Sequence, residues 1–328
     1  MRNKSILSGL MNNYGVVLAL AVIILFGWLR YDNFLGTFNV MSVLRYNSMF
    51  ALISLGMCFV IMTGGIDLSV GATAAMSSVV AAHASHYGLM PGLLAGFGAG
   101  VIVGVINGLI VTRLQIMPFV ATLATMLATG GMALLLAGNQ SIPASYATSF
   151  TWLGQGNILG FPVPALIAVL AFIAGSYVLN FTSAGRTVLA IGGNEDAAQL
   201  MGLPVNKILM LTYVACGALA GLAGVILAAQ FGAGQPIEGK GWELFAIAAV
   251  VVGGTLLTGG AGSVGATLAG VLLMGVLFTI LNFENGKGWI SLSAYWQSVV
   301  RGLFLLVVIM LQARLARKRS VGATVSAA

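Results

Sequence analysis

The sequence predicts an all-α membrane protein of about ten transmembrane helices, with both termini cytoplasmic and one membrane domain over residues 1–328. Three observations predict it. Hydrophobic residues make up 59% of the chain and charged residues only 6%, where soluble domains carry roughly a quarter charged. The apolar residues gather into runs near the length of about 20 that crosses a bilayer. The cations are unevenly shared between alternate connections. With an internal N-terminus, Arg2, Lys4, Arg113, Arg186, Lys207, Arg314, Arg317, Lys318 and Arg319 fall inside, and only Arg30, Arg45, Lys240 and Lys287 outside. Arg301 lies within the last run. This is the positive-inside pattern.

The runs are 14–30, 46–62, 67–86, 92–111, 118–137, 162–180, 208–230, 243–257, 263–281 and 294–312, flanked by short cytoplasmic tails of about 1–13 and 313–328. Arg2 and Lys4 before the first run imitate a secretory signal. No small-residue cleavage site follows, so the run reads as a retained span. In the fourth, Gly96, Gly100, Gly104 and Gly108 recur every fourth residue and share one face, which admits a close helix neighbour. The eighth is short for a crossing, and Gly253-Gly254 lies within it, as in broken helices that line cavities. Trp28, Trp152, Trp242, Trp289 and Trp296 fall at or beyond outer ends, as an interfacial belt.

An internal echo suggests a duplication. Thr63-Gly64-Gly65 precedes Ser69-Val70-Gly71-Ala72-Thr73, and Thr258-Gly259-Gly260 precedes Ser263-Val264-Gly265-Ala266-Thr267. The ten-span count puts both copies on the same side in the same orientation, whereas an inverted repeat needs an odd number of spans between them. Either the echo is not the symmetry relation, or one segment is re-entrant.

Several function classes drop out. The net charge of +7 sits at the chain ends and in loops, without the aromatic-lined basic groove that nucleic acid needs. Cys58 and Cys216 lie in apolar runs as small buried side chains. His83 and His86 have no third ligand nearby, so no metal site is expected. No G-x-x-x-x-G-K-[ST] pattern occurs, so ATP hydrolysis, if the process uses it, belongs to another chain.

Three places carry polar groups that a membrane penalises. Asp67 and Ser69 follow Gly64-Gly65. The leading reading is a helix N-cap after a glycine break, with a role in a solute pathway beside it. In the long inner connection 181–207, Asn194 caps a short helix starting at Glu195-Asp196, with acids suited to its first turn. Such a helix is either a solvated surface or a docking element for a soluble partner. Asn107, Thr122, Gln297 and Arg301 lie within spans, as interhelical hydrogen bonds or as functional groups. Arg301 has Glu243 as one candidate partner.

Taken together, these motifs resemble the ribose/galactose/arabinose-type permeases of bacterial ABC importers. The resemblance runs from about residue 40 to 312 and rests on Thr63 to Gly71, Asn107-Gly108 and Pro118-Phe119-Val120-Ala121-Thr122-Leu123. It continues through Ala190-Ile191-Gly192-Gly193-Asn194 with Ala197-Ala198, and Glu243 leading into Val250-Val251-Val252-Gly253-Gly254. It implies a multi-pass protein of the bacterial inner membrane. A second permease copy or paralogue would complete the pathway, two ATP-binding subunits would lie beneath and a periplasmic sugar-binding protein above. This chain would carry no cofactor, with ATP and Mg used by the partner ATPase.

The resemblance makes Gly192, Asn194, Glu195, Asp196, Ala197, Ala198 and Gly202 the loop that engages the ATPase. Asp67, Ser69, Asn107, Thr122, Glu243 and Gln297, with Phe119 as a stacking surface, are the expected substrate pathway. Many relatives carry an acid where this chain has Phe245, so that carboxylate's role does not transfer. The rival readings are an ion-coupled carrier using Asp67 and Arg301, and an ABC permease for a non-sugar such as a branched-chain amino acid.

Overall fold

The structure is a computed structural model that describes residues 2–285, with side chains from Gly15, and beyond them Trp296, Val299, Val300, Gly302, Leu303, Leu306 and Met310. Its helices are α1 (Arg2–Arg30), α2 (Thr37–Met62), α3 (Val70–Ala84), α4 (Leu89–Arg113), α5 (Pro118–Ala137) and the single-turn α6 (Trp152–Gln155). They continue with α7 (Val163–Phe181), α8 (Ser183–Gly193), α9 (Glu195–Leu200), α10 (Val205–Phe231), α11 (Trp242–Val252) and α12 (Val264–Glu284). Two minimal antiparallel pairs accompany them: β1 (Ile142–Pro143) with β4 (Ala233–Gly234), and β2 (Asn157–Ile158) with β3 (Phe161–Pro162).

Among the described residues six helices are long and apolar enough to cross a membrane: α2, α4, α5, α7, α10 and α12. This departs from the sequence expectation in identifiable ways. The run 67–86 yields only the 15-residue α3, because Asp67 to Ser69 turn outside the helix. The run 243–257 yields the 11-residue α11, and Gly253-Gly254 end this helix instead of interrupting it, Gly254 at φ +88. The expected tail 1–13 is helical from Arg2 onward. The run 294–312 and the tail 313–328 lie outside the described residues, apart from the few positions named above.

Helix α10 forms the centre, packed by α2, α3 and α4. Tyr213, Cys216, Ala220, Ala223, Ile226 and Leu227 are fully buried in it. Contact is close because small residues meet: Gly100 faces Gly217 and Gly221, Gly104 the backbone of Tyr213 and Val214, Gly96 Val225 and Ala81, and Gly108 Met210. A Cβ on Gly100 would fall on the Gly217 carbonyl oxygen. In a bilayer the tails are as apolar as the helices, so such fitted van der Waals contact holds the pair together.

The connection 138–162 is folded, not open loop. Phe150 is fully buried against Ala81, Ala82 and Leu153, while β1 clips onto β4 after α10. The two Thr-Gly-Gly copies are both turns, one between α2 and α3 and one between α11 and α12, and they lie side by side, Gly259 against Gly64.

Candidate functional site

Two polar regions stand out, and they differ in kind. The first is a knot around Asp67. Helix α2 ends at Met62, Thr63 Oγ1 donates to the Val60 carbonyl at 2.7 Å, and Gly64 at φ +84 reverses the chain. Asp67 Oδ1 then accepts the Ser69 amide at 2.9 Å and the Ser69 hydroxyl at 2.6 Å, an Asx-type turn leading into α3. Ser69 makes no side-chain cap. From α4, Asn107 Nδ2 donates to Ser69 Oγ at 2.8 Å, and Asn107 Oδ1 accepts the Thr125 hydroxyl of α5 at 2.7 Å. Thr122 Oγ1 accepts the Leu68 amide at 3.1 Å and donates to the Pro118 carbonyl at 2.8 Å.

Four of the residues expected to act together do meet here, yet none reaches solvent. Asp67 and Ser69 are 1% exposed, and Asn107 and Thr122 0%. Cys216 and Tyr213 of α10 lie beside the carboxylate. In low dielectric each of these bonds is costly to lose, since a stranded buried polar group costs about 1–3 kcal/mol. The chemistry available to the knot is holding: it ties the α2–α3 turn to α4, α5 and α10.

The second region is a cleft of about 1110 Å³ between the first half of α2, the end of α10, the start of α11 and the second half of α12. Its polar lining includes Arg45, Asn47, Gln155, Gln230, Glu238 and Lys240. Arg45 Nη2 donates to Asn157 Oδ1 at 3.0 Å and to the Gln155 carbonyl at 3.3 Å, while Arg45 Nε and Gln230 Oε1 are buried and meet no partner among the described residues. Glu238, in the connection before α11, is exposed at the cleft, and partial desolvation raises its carboxyl above the usual glutamate value.

The floor of the cleft is aromatic. Phe50 packs on Phe245 with centroids 4.2 Å apart and on Trp242 at 4.8 Å, and Phe278 closes the row 5.6 Å from Phe245. The wall thus offers amide and charged groups above flat apolar faces.

A third feature lies at the other end of α10. Asn194 Oδ1 accepts the Ala197 amide at 2.8 Å and so caps α9; Gly202 at φ +77 ends it. Ala198 is fully buried and anchors the helix, whereas Glu195, Asp196, Leu200 and Met201 face outward. Exposed leucine and methionine beside two acids form a mixed surface suited to a protein partner.

The remaining expected residues separate from one another. Phe119 is 52% exposed on α5 and does not line the cleft. Glu243 sits at the N-terminus of α11, beside the amides of Gly241 and of Glu243 itself, and next to Gly71. Gln297, Arg301 and Trp289 lie outside the described residues. His83 Nε2 meets the Leu136 carbonyl and His86 Nε2 the Pro143 carbonyl; among the described residues no group of three His, Cys, Asp or Glu side chains gathers for a metal. Trp242, expected in an interfacial belt, is buried against Phe50. The sequence reading missed Arg45, Gln230, Glu238 and Phe245 as a group. The signal for Gln230 and Glu238 was the polar stretch Gln230 to Glu243 between two apolar runs.

The family described as branched-chain amino acid transport system / permease component matches residues 39–309. The ribose import permease protein RbsC of Bacillus subtilis is 41% identical over 315 residues, covering 95% of each chain. The Escherichia coli protein of the same name is 37% identical, covering 90% of this chain and 91% of that one. The L-arabinose transport system permease protein AraH of Escherichia coli is 35% identical, covering 91% and 90%. No solved structure matches the chain.

Proposed function

The chain belongs to the branched-chain amino acid transport system / permease component family, and from that premise we propose that it is the membrane-spanning permease subunit of an ATP-driven importer for a monosaccharide. The observation that carries the sugar reading is the cleft. Amide and charged side chains over a floor of Phe50, Trp242 and Phe245 suit a solute with hydroxyls on its edge and an apolar ring face. The relatives named for ribose and arabinose point the same way.

The proposed orientation has both termini cytoplasmic in a bacterial inner membrane, with ten spans in all. The cleft then opens outward and α9 inward, separated by the 27 residues of α10, about 40 Å. A periplasmic sugar-binding protein would deliver at the cleft, and an ATP-binding subunit would seat on Glu195, Asp196, Leu200 and Met201. ATP and Mg would be used in that partner, and a second permease copy or paralogue would complete the pathway. In this conformation the aromatic floor closes the route inward, and movement of α2 against α11 and α12 opens it.

The test is uptake of labelled ribose, arabinose and leucine into proteoliposomes holding the chain, its ATPase and its binding protein. ATP-dependent entry of a pentose but not leucine is expected, abolished by Glu195→Lys with Asp196→Lys. Uptake driven by an ion gradient without ATP would overturn the reading.

A further inference from the structure

We propose that a three-way glycine junction, Gly64 with Gly192-Gly193 and Gly259-Gly260, is the joint that carries displacement of α9 to the walls of the cleft. It rests on the permease reading above and names residues that transmit motion within it.

The junction is backbone on backbone. The Gly260 amide donates to the Met62 carbonyl at 3.0 Å, tying the turn between α11 and α12 to the end of α2. Gly192 lies over that bond: a Cβ there would land on the Met62 oxygen and the Gly260 nitrogen. Gly259 and Gly260, at φ +84 and +76, press on the same point. A Cβ on Gly259 would stand 2.7 Å from the Gly64 nitrogen and 3.0 Å from Gly192 Cα, and one on Gly260 3.0 Å from Gly193 Cα. Two turns and the end of α8, distant in sequence, thus meet backbone on backbone. A side-chain layer can change rotamer and absorb a shift, whereas close-packed backbone passes it on.

What the junction joins gives it its role. Asn194, the residue after Gly193, caps α9. Met62 ends α2, whose Arg45 to Phe50 form one wall of the cleft; the 258–260 turn links α11 and α12, whose Phe245 and Phe278 form its floor. From Met62 to Phe50 is 12 residues of unbroken helix, about 18 Å. Displacement of α9 therefore meets, within two residues, the ends of the elements that bound the cleft. The Thr-Gly-Gly echo has a mechanical sense here, since both copies are faces of one joint.

The experiment uses the full transporter in proteoliposomes. Gly265→Ala, at the start of α12 just beyond the junction, is the control, because a Cβ there would meet nothing, and it should transport like the unaltered chain. Gly192→Ala should keep binding the ATPase and hydrolysing ATP while uptake falls about tenfold or more, the size of a lost coupling energy. Gly192→Ala that docks and transports like Gly265→Ala overturns the proposal. Should Gly192→Ala fail to insert, hydrogen exchange on the unaltered complex decides. ATP should change protection at 62–65, 191–193 and 258–260 together, and a change confined to 191–200 overturns the joint. An unaltered chain that binds no ATPase overturns the permease reading itself, and the joint with it.

Discussion

The knot at Asp67 and the cleft above Phe245 are both clusters of polar groups in an apolar chain, yet they are built oppositely. In the knot Asp67 Oδ1, Ser69, Asn107, Thr122 and Thr125 bond to one another or to nearby backbone. Asp67 Oδ2 and the Tyr213 hydroxyl are left without a partner among the described residues, and exposure is near zero. In the cleft, Arg45 Nε and Gln230 Oε1 are held ready without protein partners. A membrane protein puts polar residues in its interior for two reasons, to hold helices and to meet a solute. Access, not polarity, separates the two: the knot is sealed, whereas the cleft is a cavity that a solute can enter.

Substitutions in each region sharpen that contrast. The largest effect is expected from Asn107→Leu, which takes away the side-chain donor to Ser69 Oγ and leaves the Thr125 hydroxyl only the carbonyls of its own helix. Each buried partner left unpaired costs about 1–3 kcal/mol, so the thermal midpoint of the solubilised protein should fall while uptake per correctly inserted molecule holds. Gln230→Leu should do the reverse, with a nearly unchanged midpoint and uptake reduced about tenfold, as expected when a polar contact to solute is lost. A matching loss of stability in both variants would dissolve the distinction.

Glu238 gives a smaller effect with a definite sign. Partial desolvation raises its carboxyl above 4.5, so the folded protein binds its proton more tightly than the unfolded chain does. Stability from this group is present at acid pH and declines as pH rises from about 4.5 through the raised value. Melting curves across that range should flatten in Glu238→Gln. The smallest effect belongs to Phe119→Ala, which removes a half-exposed ring. Its midpoint should move by no more than about 0.5 kcal/mol equivalent, and uptake should not change.

How far the sequence could be read follows from the same physics. The glycines of α4 were visible because a spacing of four is a helix face by itself, and Asn194 before two acids announced the start of α9. Six long apolar runs became helices able to cross a membrane. The glycine breaks at Gly64 and at Gly253-Gly254 were visible, but hydropathy counts apolar residues without showing where the backbone turns, so the helices that form, Val70–Ala84 and Trp242–Val252, are shorter than the runs. Asp67, Ser69, Asn107 and Thr122 of the knot stood out because polar residues are rare in such a composition, whereas Thr125 did not. Their assignment to a pathway rested on polarity alone, and burial is a tertiary property. The cleft was hidden for a related reason. Arg45, Gln230 and Phe245 are far apart in sequence: Arg45 looked like an ordinary loop cation, Gln230 like a helix end, and Phe245 was marked only as an aromatic where many relatives carry an acid.

The glycine face of α4 also bears on how the protein is made. Its partner α10 begins at Val205, 92 residues after α4 ends at Arg113. At about 5–20 residues per second of synthesis, that face waits roughly 5–20 s against lipid before Gly217 and Gly221 arrive. During that interval α4 presents a groove of bare backbone that any small-faced helix can enter, and the newborn chain is at its most open to mispairing. Chains halted between Arg113 and Val205 should therefore be the ones quality-control proteases remove fastest.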